Sequence, residues 1–320
     1  MKVLVTKLSS LGDLFSALPA VHNLKVGLDA EIDWVTQCEY VELVRCFTDV
    51  RKVIPFDRGR FWRHLGLLLG RLRAEQYDYA IDFQGLIKSA FTVRAARAGK
   101  VIGPSFHREC SRLLYNSVAG KRNKDRLAVD ENLDVVGHLG LERVPVEFPV
   151  RFPDEDVEGP APRVAMVPVS RWHTKNWPIG RYVEVARHLS EKGAGIFVFG
   201  GPHDVEACAG LERALDGRVV NLAGKSTLVQ MGSKLQKMDL VISNDSGPLH
   251  MAVALGIPTV SVYGATDPRR TGPYGEGNRV LSTSLPCQPC LSRKCKVGGV
   301  PCLTGITSDE VTQAVVEVLG

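Results

Sequence analysis

The loop Lys7–Leu14 carries a carboxylate with the chemistry of a general base. Its sequence, KLSSLGDL, directly follows the apolar segment Val3–Val5, which we predict to be a strand. Asp13 stands where the next predicted helix, Leu14–Lys25, begins. It is either a cap or first-turn carboxylate that the helix dipole stabilises, or a base that takes a proton from a substrate. Capping is the simpler explanation, so the residue types of this loop leave both interpretations open.

A second group of reactive side chains follows an apolar strand in the second half of the chain. The segment Pro168–Pro178, PVSRWHTKNWP, contains Ser170, Thr174 and Lys175, whose hydroxyl and ammonium groups can bind phosphate oxygens. Packing in a core would explain its two tryptophans equally well. Two aromatic residues, a lysine and a histidine exceed what a connecting loop needs, so we interpret this loop as functional.

The most specific signal for a nucleotide is SNDSGPLHMAVALGIPTVSVYGATD, residues 243–267. The apolar run just before it, Leu240–Ile242, predicts a buried strand, and the segment itself predicts a tight turn, a helix that ends at Gly256 and a second strand, Thr259–Tyr263. Backbone amides near Asp245, Ser246 and Gly247 would then point to the carboxyl end of a sheet. That geometry suits a diphosphate group.

Two more residues on the same predicted edge have alternative explanations. His250 lies on the predicted helix and is either a ligand contact or a histidine satisfied inside the protein. Asp204 follows Gly200-Gly201-Pro202 after another predicted strand. A carboxylate at such a position can bind a ribose hydroxyl.

Polar and basic residues of the first half suggest an anionic or polyhydroxylated partner. The segment Asp82–Lys88, DFQGLIK, ends a predicted strand and contains Gln84 and Lys88, although a solvated glycine turn would explain it too. Basic clusters in this half are either solvated surface or the contact face for an anion. No helix-turn-helix, zinc-finger or RNA-recognition signature accompanies them, so we expect no nucleic-acid partner. The basic residues that enter our predictions are Arg58, Arg60, Arg63 and Arg108.

Four of the eight cysteines are clustered: Cys287, Cys290, Cys295 and Cys302. The cluster begins with C-x-x-C, a spacing compatible with zinc or a redox pair, but its later spacings match no standard finger or ribbon. Reduced structural thiols or a local clip, a bound metal, and catalysis are the three interpretations. We treat the four residues as a structural cluster and predict no metal ion.

Composition and length favour a two-domain globular protein. The chain has 320 residues, 44% of them hydrophobic and 23% charged, with a net charge of +5. No apolar run is long enough to cross a bilayer, and the first residues do not resemble a secretory signal. We therefore expect a cytoplasmic protein.

Strand and helix patterns alternate in both halves. They predict an α/β protein made of two doubly wound, Rossmann-like domains that face a central cleft. The acidic segment Arg151–Arg163, rich in proline and glycine, is the predicted linker. We place the first domain at residues 1–155, the second at 162–305 and a final helix at 306–320.

The chain resembles the ADP-heptose lipopolysaccharide heptosyltransferases of glycosyltransferase family 9. The resemblance rests on KLSSLGDLFSALPAV and DFQGLIKSA in the first half, and on HTKNWP, FGGPHD and SNDSGPLHMAVALGIPTVSVYGATDP in the second. These motifs run in order over nearly the whole chain and are far more specific together than singly. The family implies a GT-B fold whose last helix crosses back to the first domain. It also implies an inverting, metal-independent transfer from ADP-heptose, which is a substrate, so that no cofactor is expected.

The resemblance also implies roles for single residues. The base of the family is the carboxylate of the SS-x-GD motif, which here is Asp13, and the first domain is implied to bind the acceptor. The predicted donor-binding residues, in the second domain, are Ser170, Thr174, Lys175, Asp204, Lys225, Asp245, Ser246, Gly247 and His250. The predicted acceptor-binding residues are Lys7, Ser10, Arg58, Arg60, Arg63, Gln84, Lys88 and Arg108.

Two motifs favour different acceptors within this family. DFQGLIKSA favours a heptosyltransferase I-like enzyme that acts on the Kdo region of Kdo-lipid A, and we give it more weight because it should face the acceptor. The tail CQPCLSRKC with Cys302 is more similar to the heptosyltransferase II branch, which adds a second heptose. A non-catalytic nucleotide-sugar-binding protein is a further alternative, since a fold does not fix a function. The basic surface predicts transient, salt-sensitive docking on the cytoplasmic face of the bacterial inner membrane.

Overall fold

The computed structural model describes the backbone of all 320 residues and every side chain except that of Trp62. The chain divides into two compact units, Met1–Arg151 and Phe152–Gly320. Among the described residues, no helix combines the length and the hydrophobicity that crossing a bilayer requires.

The first unit is a parallel sheet with helices in the connections. Its strands are β1 (Lys2–Thr6), β2 (Glu31–Gln37), β3 (Val50–Phe56), β4 (Gln76–Asp82), β5 (Arg97–Pro104) and β6 (Ser117–Ala119). Its helices are α1 (Leu11–Leu28), α2 (Val41–Val44), α3 (Phe61–Arg73), α4 (Ile87–Ala95), α5 (Ala128–Asn132) and α6 (Asp134–His138). The strands are ordered β3-β2-β1-β4-β5-β6 and pair in parallel. The strand order therefore reverses between β1 and β4, where doubly wound sheets bind their ligands.

The second unit repeats this design. Its strands are β7 (Arg163–Val167), β8 (Gly195–Val198), β9 (Val219–Asn221), β10 (Leu240–Asn244), β11 (Thr259–Tyr263) and β12 (Asn278–Ser282). Its helices are α7 (Ile179–Glu191), α8 (Val205–Ala214), α9 (Leu228–Leu235), α10 (Gly247–Ala254), α11 (Pro268–Thr271), α12 (Pro301–Thr304) and α13 (Ser308–Leu319). The parallel order β12-β11-β10-β7-β8-β9 places the reversal between β7 and β10. The prediction of two Rossmann-like domains is confirmed.

Burial explains why the central strands were predictable and why two of the four edge strands, β6 and β12, were not. A parallel strand covered by helices on both faces is apolar along its length, as β1 and β10 are. The strands β6 and β12 lie at sheet edges, and β12 has no buried residue. Both lack an apolar run, and neither was predicted.

The predicted linker belongs to the second unit from Phe152 onward. The Phe152 ring is buried against α9, where a Cβ on Gly232 would overlap it. Asp154 also forms an ion pair with Lys237 on this side. The boundary lies earlier than the predicted end of the first domain at residue 155, because these contacts tie the acidic segment to α9.

The return of the last helix to the first domain, which the resemblance implies, stays a prediction. Helix α13 packs against α7 and against strands β10, β11 and β12 of the second unit. Its residues Val311, Ala314 and Val315 are buried in that unit's core. The Trp177 indole also donates a hydrogen bond to the carbonyl of Ile306 at 3.0 Å, just before the helix. The apolar face of α13 is therefore covered by its own unit.

Candidate functional site

Lys175 and Asp245 form an ion pair at the strand-order reversal of the second sheet. The loop of Lys175 leaves β7, and Asp245 follows β10, the neighbouring strand. The Lys175 Nζ lies 2.7 Å from the Asp245 Oδ2, and the two side chains are 18% and 6% exposed. The Thr271 hydroxyl donates to the same oxygen at 3.3 Å. The pair joins two motifs that the sequence identified separately.

Helix α10 begins directly after Asp245. Ser246 is its N-cap, Gly247 its first residue, and a proline follows in the first turn. The Ser246 hydroxyl lies 3.0 Å from the Ser243 hydroxyl, and His250 is half-buried one turn into the helix. Amides at a helix start and the positive end of the helix dipole attract anions, and the Lys175 ammonium adds a full charge beside them.

The loop after β7 is held by its own side chains. Both the amide and the hydroxyl of Ser170 donate to the Asn176 Oδ1 at 2.8 Å. The Trp172 ring faces two cations, the Lys175 Nζ at 5.0 Å and the Arg293 guanidinium carbon at 5.1 Å from its centroid. The ring quadrupole stabilises both charges, so this part of the loop is a preformed cationic surface.

A buried amide that the sequence analysis did not identify fixes the loop to the sheet. The Asn244 Oδ1 accepts hydrogen bonds from the Trp177 amide at 3.0 Å and the Tyr182 hydroxyl at 3.2 Å. Its Nδ2 donates to the Pro168 carbonyl at 2.8 Å. A polar residue at the end of a buried strand, next to Asp245, was the available signal. Asn244 thereby sets the position from which Lys175 reaches Asp245.

Thr174 is buried and has a partner within the protein, and its predicted phosphate contact stays a prediction. The residue is 1% exposed, and its hydroxyl donates to the Ser292 carbonyl at 2.6 Å. Its contact lies on the cysteine-containing segment rather than on an open surface. Thr174 therefore anchors that segment to the loop.

Asp204 and Lys225 lie farther along the second sheet, after β8 and β9. The Asp204 Oδ2 accepts a hydrogen bond from the Gly201 amide at 2.7 Å and so closes its own glycine turn. The Lys225 ammonium donates to the Asn221 carbonyl at 2.8 Å. The two turns adjoin, because the Gly224 amide donates to the Gly200 carbonyl at 3.0 Å. Both side chains serve local structure here, and their predicted ligand contacts stay predictions.

In the first unit, Asp13 closes the start of α1 with Ser10. The Asp13 Oδ2 accepts from the Ser10 amide at 2.8 Å and from the Ser10 hydroxyl at 2.7 Å. The loop lies at the carboxyl end of β1, beside the strand-order reversal with β4. The capping interpretation is therefore correct locally. It is compatible with a second role, because these contacts also fix the direction of the carboxylate.

Gln84 and Lys7 connect this loop to the segment after β4. The Gln84 Oε1 accepts from the amides of Leu8 and Ser9, both at 3.1 Å. The Lys7 side chain is buried, and its ammonium donates to the Phe83 carbonyl at 2.7 Å. The two motifs of the first half, KLSSLGDL and DFQGLIK, thus form one polar surface.

The buried carboxylate of Asp82 shapes the turn that carries Gln84. Its Oδ1 accepts from the Gln84 amide at 2.7 Å and the Gly85 amide at 3.2 Å. Its Oδ2 accepts from the hydroxyls of Ser89 at 2.8 Å and Tyr115 at 2.6 Å. Burial raises the pKa of Asp82, and these four hydrogen bonds oppose that effect. The sequence analysis did not identify this support; a carboxylate at a strand's end was its signal.

Apart from the buried Lys7, the basic residues predicted to contact the acceptor are exposed, and they are not gathered at one point. Arg58, Arg60 and Arg63 follow β3, at the sheet edge. Lys88 lies on α4. The Arg108 amide donates to the Gly85 carbonyl at 2.7 Å, so only Arg108 among the arginines adjoins the Gln84 turn directly.

The four clustered cysteines are reduced and line one cavity of the second unit. Within the described residues, no three His, Cys, Asp or Glu side chains form a group arranged to hold a metal ion. The carboxylates of the two strand-order reversals are engaged by amides, hydroxyls and the Lys175 ammonium.

Comparison with known proteins gives similar relatives over nearly the whole chain. Lipopolysaccharide heptosyltransferase 1 of Pseudomonas aeruginosa is 29% identical, with 92% of this chain and 87% of that protein covered. Lipooligosaccharide heptosyltransferase 2 of Haemophilus influenzae is 26% identical, with 88% of each chain covered. Among solved structures, the heptosyltransferase WaaC of E. coli with ADP superposes with a TM-score of 0.84 at 25% identity, covering 99% of this chain and 100% of that one.

The fold predicted from the sequence, GT-B with two Rossmann-like domains, is confirmed by this structural similarity. The model of glycosyltransferase family 9 (heptosyltransferase) matches residues 66–300, more than two thirds of the chain. The match includes the Gln84 turn, the Lys175 loop and the start of α10. The chain belongs to glycosyltransferase family 9 and is a glycosyltransferase.

Proposed function

We propose that this enzyme transfers a heptosyl unit from ADP-heptose to the Kdo region of the lipopolysaccharide inner core, with inversion and without a metal ion. The observation that carries the proposal is the position of the polar loops. In each unit, these loops follow the two neighbouring strands between which the strand order reverses, which are β1 and β4 in the first unit and β7 and β10 in the second. The resemblance to heptosyltransferase 1 proteins and to an ADP-bound heptosyltransferase supports the donor and the reaction.

The second unit is proposed to bind the donor. The start of α10 offers amides to the diphosphate, and Lys175 offers an ammonium. As the bond between the anomeric carbon and the phosphate oxygen breaks, its electron pair passes to ADP. Lys175 and the helix start stabilise the charge that develops there, the role that a divalent cation has in metal-dependent transferases.

The first unit is proposed to bind the acceptor and supply the base. The acceptor hydroxyl oxygen attacks the anomeric carbon on the face opposite ADP, and Asp13 takes the proton. General-base catalysis of this kind contributes about 10²–10⁴-fold. The contacts of Asp13 with Ser10 orient the carboxylate before the substrate arrives. Gln84 and Lys88, which follow β4, and Arg108, which adjoins the same turn, are the polar side chains proposed to bind the acceptor.

A test must separate catalysis by Asp13 from helix capping by Asp13. In Asp13→Asn an amide oxygen can still accept the Ser10 hydrogen bonds, but the side chain no longer takes a proton. We expect ADP-heptose binding to stay within about twofold and turnover to fall by about 10²–10⁴-fold. Asp13→Ala should lose turnover similarly and lose some stability as well.

The chain contains a matched control for this test. Glu310 makes the same contacts with Thr307 at the start of α13, at 2.7 Å and 2.9 Å. Glu310→Gln should change stability slightly and leave turnover unchanged. Near-normal turnover of Asp13→Asn, measured as ADP release with a Kdo-containing acceptor, would remove Asp13 from the mechanism.

The second candidate is addition of the second heptose. It is favoured by the similarity to a heptosyltransferase 2 protein, whose 26% identity is close to the 29% of the heptosyltransferase 1 relative. Transfer to Kdo-lipid A, compared with its mono-heptosylated form, decides between the two. Binding of ADP-heptose without ADP release on either acceptor would instead indicate a nucleotide-sugar-binding protein.

The place of action is proposed to be the cytoplasmic face of the inner membrane, through transient contact with anionic lipid. Exposed basic residues of the first unit stand beside exposed apolar ones, such as Arg63 near Leu67 on α3 and Arg112 beside Leu113. Charges at a lipid surface act within a Debye length, so such docking weakens as salt rises. Sedimentation with anionic vesicles that did not respond to salt, or did not occur, would refute this contact.

A further inference from the structure

Four thiols of the second unit face one small cavity that the transfer reaction does not use. Cys287, Cys290, Cys295 and Cys302 are separated by two, four and six residues in the sequence. All four line a cavity of about 50 Å³. They come from a single segment, yet their side chains converge on the same space.

Packing explains this convergence only in part, since Cys302 belongs to the core of the unit and Cys295 packs against that core. Cys302 is buried, but Cys287 and Cys290 are exposed and Cys295 is half-exposed. A cysteine kept for its apolar character lies in a core, as Cys208 does. Disulfide bonds do not explain it, because all four residues are free thiols.

The backbone around the thiols is irregular and strained. No helix or strand lies between β12 and α12. Leu291, which follows Cys290, has a φ of 50°, and Val300 has a φ of 44°. Side chains other than glycine rarely adopt this left-handed region, and a β-branched valine does so least readily. Such strain persists only where other interactions hold the chain in place.

Hydrogen bonds hold one side of this segment. The Leu291 amide donates to the Ala265 carbonyl at 2.8 Å. The Gln288 side chain donates to the Gly264 carbonyl at 3.0 Å and accepts from the Thr283 hydroxyl at 2.7 Å. These contacts attach the chain near Cys290 to the end of β11. Farther along the segment, the Cys295 thiol donates to the Gly298 carbonyl at 3.6 Å, and Val300 is buried in the core of the unit.

Charge determines what can fill the cavity. Several thiolates that line one small cavity repel each other unless a cation lies between them. Lys294 and Lys296 line the same cavity and offset part of the negative charge of a metal–thiolate centre.

We propose that Cys287, Cys290, Cys295 and Cys302 bind one soft divalent metal ion, of which zinc is the type, as a structural site. Each thiol gives up its proton to the solvent, and no electron is transferred. The thiol sulfurs have the softness that favours zinc over magnesium or calcium. Since no three of the described side chains already form a metal-holding group, binding draws the thiols of the exposed loop inward.

The site stabilises one wall of the proposed donor pocket. The segment holds the Thr174 hydroxyl through the Ser292 carbonyl at 2.6 Å, and Arg293 lies over the Trp172 ring. Trp172 in turn lies under the Lys175 ammonium. Metal binding therefore orders residues that adjoin Lys175 without touching the reacting atoms.

The test measures metal binding directly. The full chain is purified in the reduced state, and its zinc and iron are quantified by plasma mass spectrometry. We expect about one ion per chain, as for a structural thiolate site. Cys290→Ser and Cys295→Ser should reduce this to background, whereas Cys110→Ser, an exposed cysteine of the first unit, should not change it.

A second measurement keeps the proposal testable if a variant fails to fold. Chelator-treated wild-type protein is titrated with cobalt(II) alone, and we expect the visible bands of a tetrahedral cobalt thiolate, saturating at one equivalent. Cys110→Ser should give the same spectrum, and Cys290→Ser should give none. The proposal is overturned if wild-type protein neither contains nor takes up metal, if Cys290→Ser binds as wild type does, or if mass spectrometry finds a Cys287–Cys290 disulfide instead.

Discussion

Lys175→Met tests whether the ion pair between Lys175 and Asp245 contributes to nucleotide binding, to the stability of the fold, or to both. The substitution removes the ammonium and keeps most of the apolar stem. At 2.7 Å the two charges attract each other by about 6 kcal/mol at an effective dielectric constant of about 20. Most of this attraction is offset by the loss of hydration, so the pair itself adds little to net stability.

Removing only one partner costs more than the pair contributes. Without the ammonium, the Asp245 carboxylate is still buried, with 6% of its side chain exposed. It keeps the hydrogen bond from the Thr271 hydroxyl at 3.3 Å but has lost its ion-pair partner. Breaking a buried pair costs about 3–5 kcal/mol. We expect the lower end, about 3 kcal/mol, because Lys175 itself is partly exposed. The same variant should lose one charge-assisted hydrogen bond to the diphosphate, about 1.5–3 kcal/mol, which weakens ADP binding roughly tenfold to hundredfold.

The double variant Lys175→Met/Asp245→Asn separates these two effects. It leaves no unpaired charge, so urea unfolding should show stability within about 1 kcal/mol of wild type. ADP affinity, measured by calorimetry at fixed salt, should stay weakened, because the ammonium is still missing. Asp245→Asn alone completes the cycle and should bind ADP at least as tightly as wild type.

Recovery of full ADP affinity in the double variant would refute this reasoning. It would mean that Lys175 only neutralises Asp245 and does not contact the phosphates. Loss of affinity without any loss of stability in Lys175→Met would contradict the other half, namely that Asp245 needs its partner to stay buried.

Two further predictions concern the first unit. Hydrogen bonds from Lys2 and then Arg51 lower the pKa of Glu75 to about 2. The ionised carboxylate therefore stabilises the fold at pH values above its unfolded pKa of about 4.3, and this stabilisation is lost as the pH falls towards 2. Since these side chains are partly exposed, Glu75→Gln should lower the free energy of unfolding by only about 1 kcal/mol at pH 7. In urea unfolding, the stability difference between this variant and wild type should become smaller below pH 4. A stability difference that did not change with pH would contradict the lowered pKa of Glu75. Gly103→Ala should cost about 1–3 kcal/mol, because its Cβ would overlap the Tyr115 ring that supports Asp82. Gly137→Ala, whose Cβ meets no atom within 4 Å, is the control, and equal effects of the two alanines would refute the packing argument.

The central strands and most helices could be predicted from the sequence because buried faces require apolar residues at regular spacings. In helix α7, Ile179–Glu191, for example, the apolar residues recur at the helical period. Helix α13 was also predicted, but its partner was not. Periodicity identifies an apolar face without saying which surface covers it, and the contacts with α7, β10, β11 and β12 are seen only in the structure.

Single-residue roles were harder to predict because they depend on contacts distant in the sequence. Thr174 carries a hydroxyl suited to phosphate, yet its partner is the carbonyl of Ser292, 118 residues away. Asn244 and Asp82 carry no ligand signal of their own, although they hold the loops of Lys175 and Gln84. Residue type predicts what a side chain can do, and long-range packing decides what it does.

Asp13 shows that a structural and a catalytic role need not exclude each other. From the sequence, capping and base catalysis compete as explanations for one carboxylate. In the structure the hydrogen bonds from Ser10 fix where that carboxylate lies at the carboxyl end of β1. A catalytic base must be positioned within hydrogen-bond reach of the proton that it removes, and an oriented side chain loses less entropy when it acts. The capping contact is therefore a means of presenting the base, which is why Asp13→Asn, with its acceptor retained, is a sharper test than removal of the side chain.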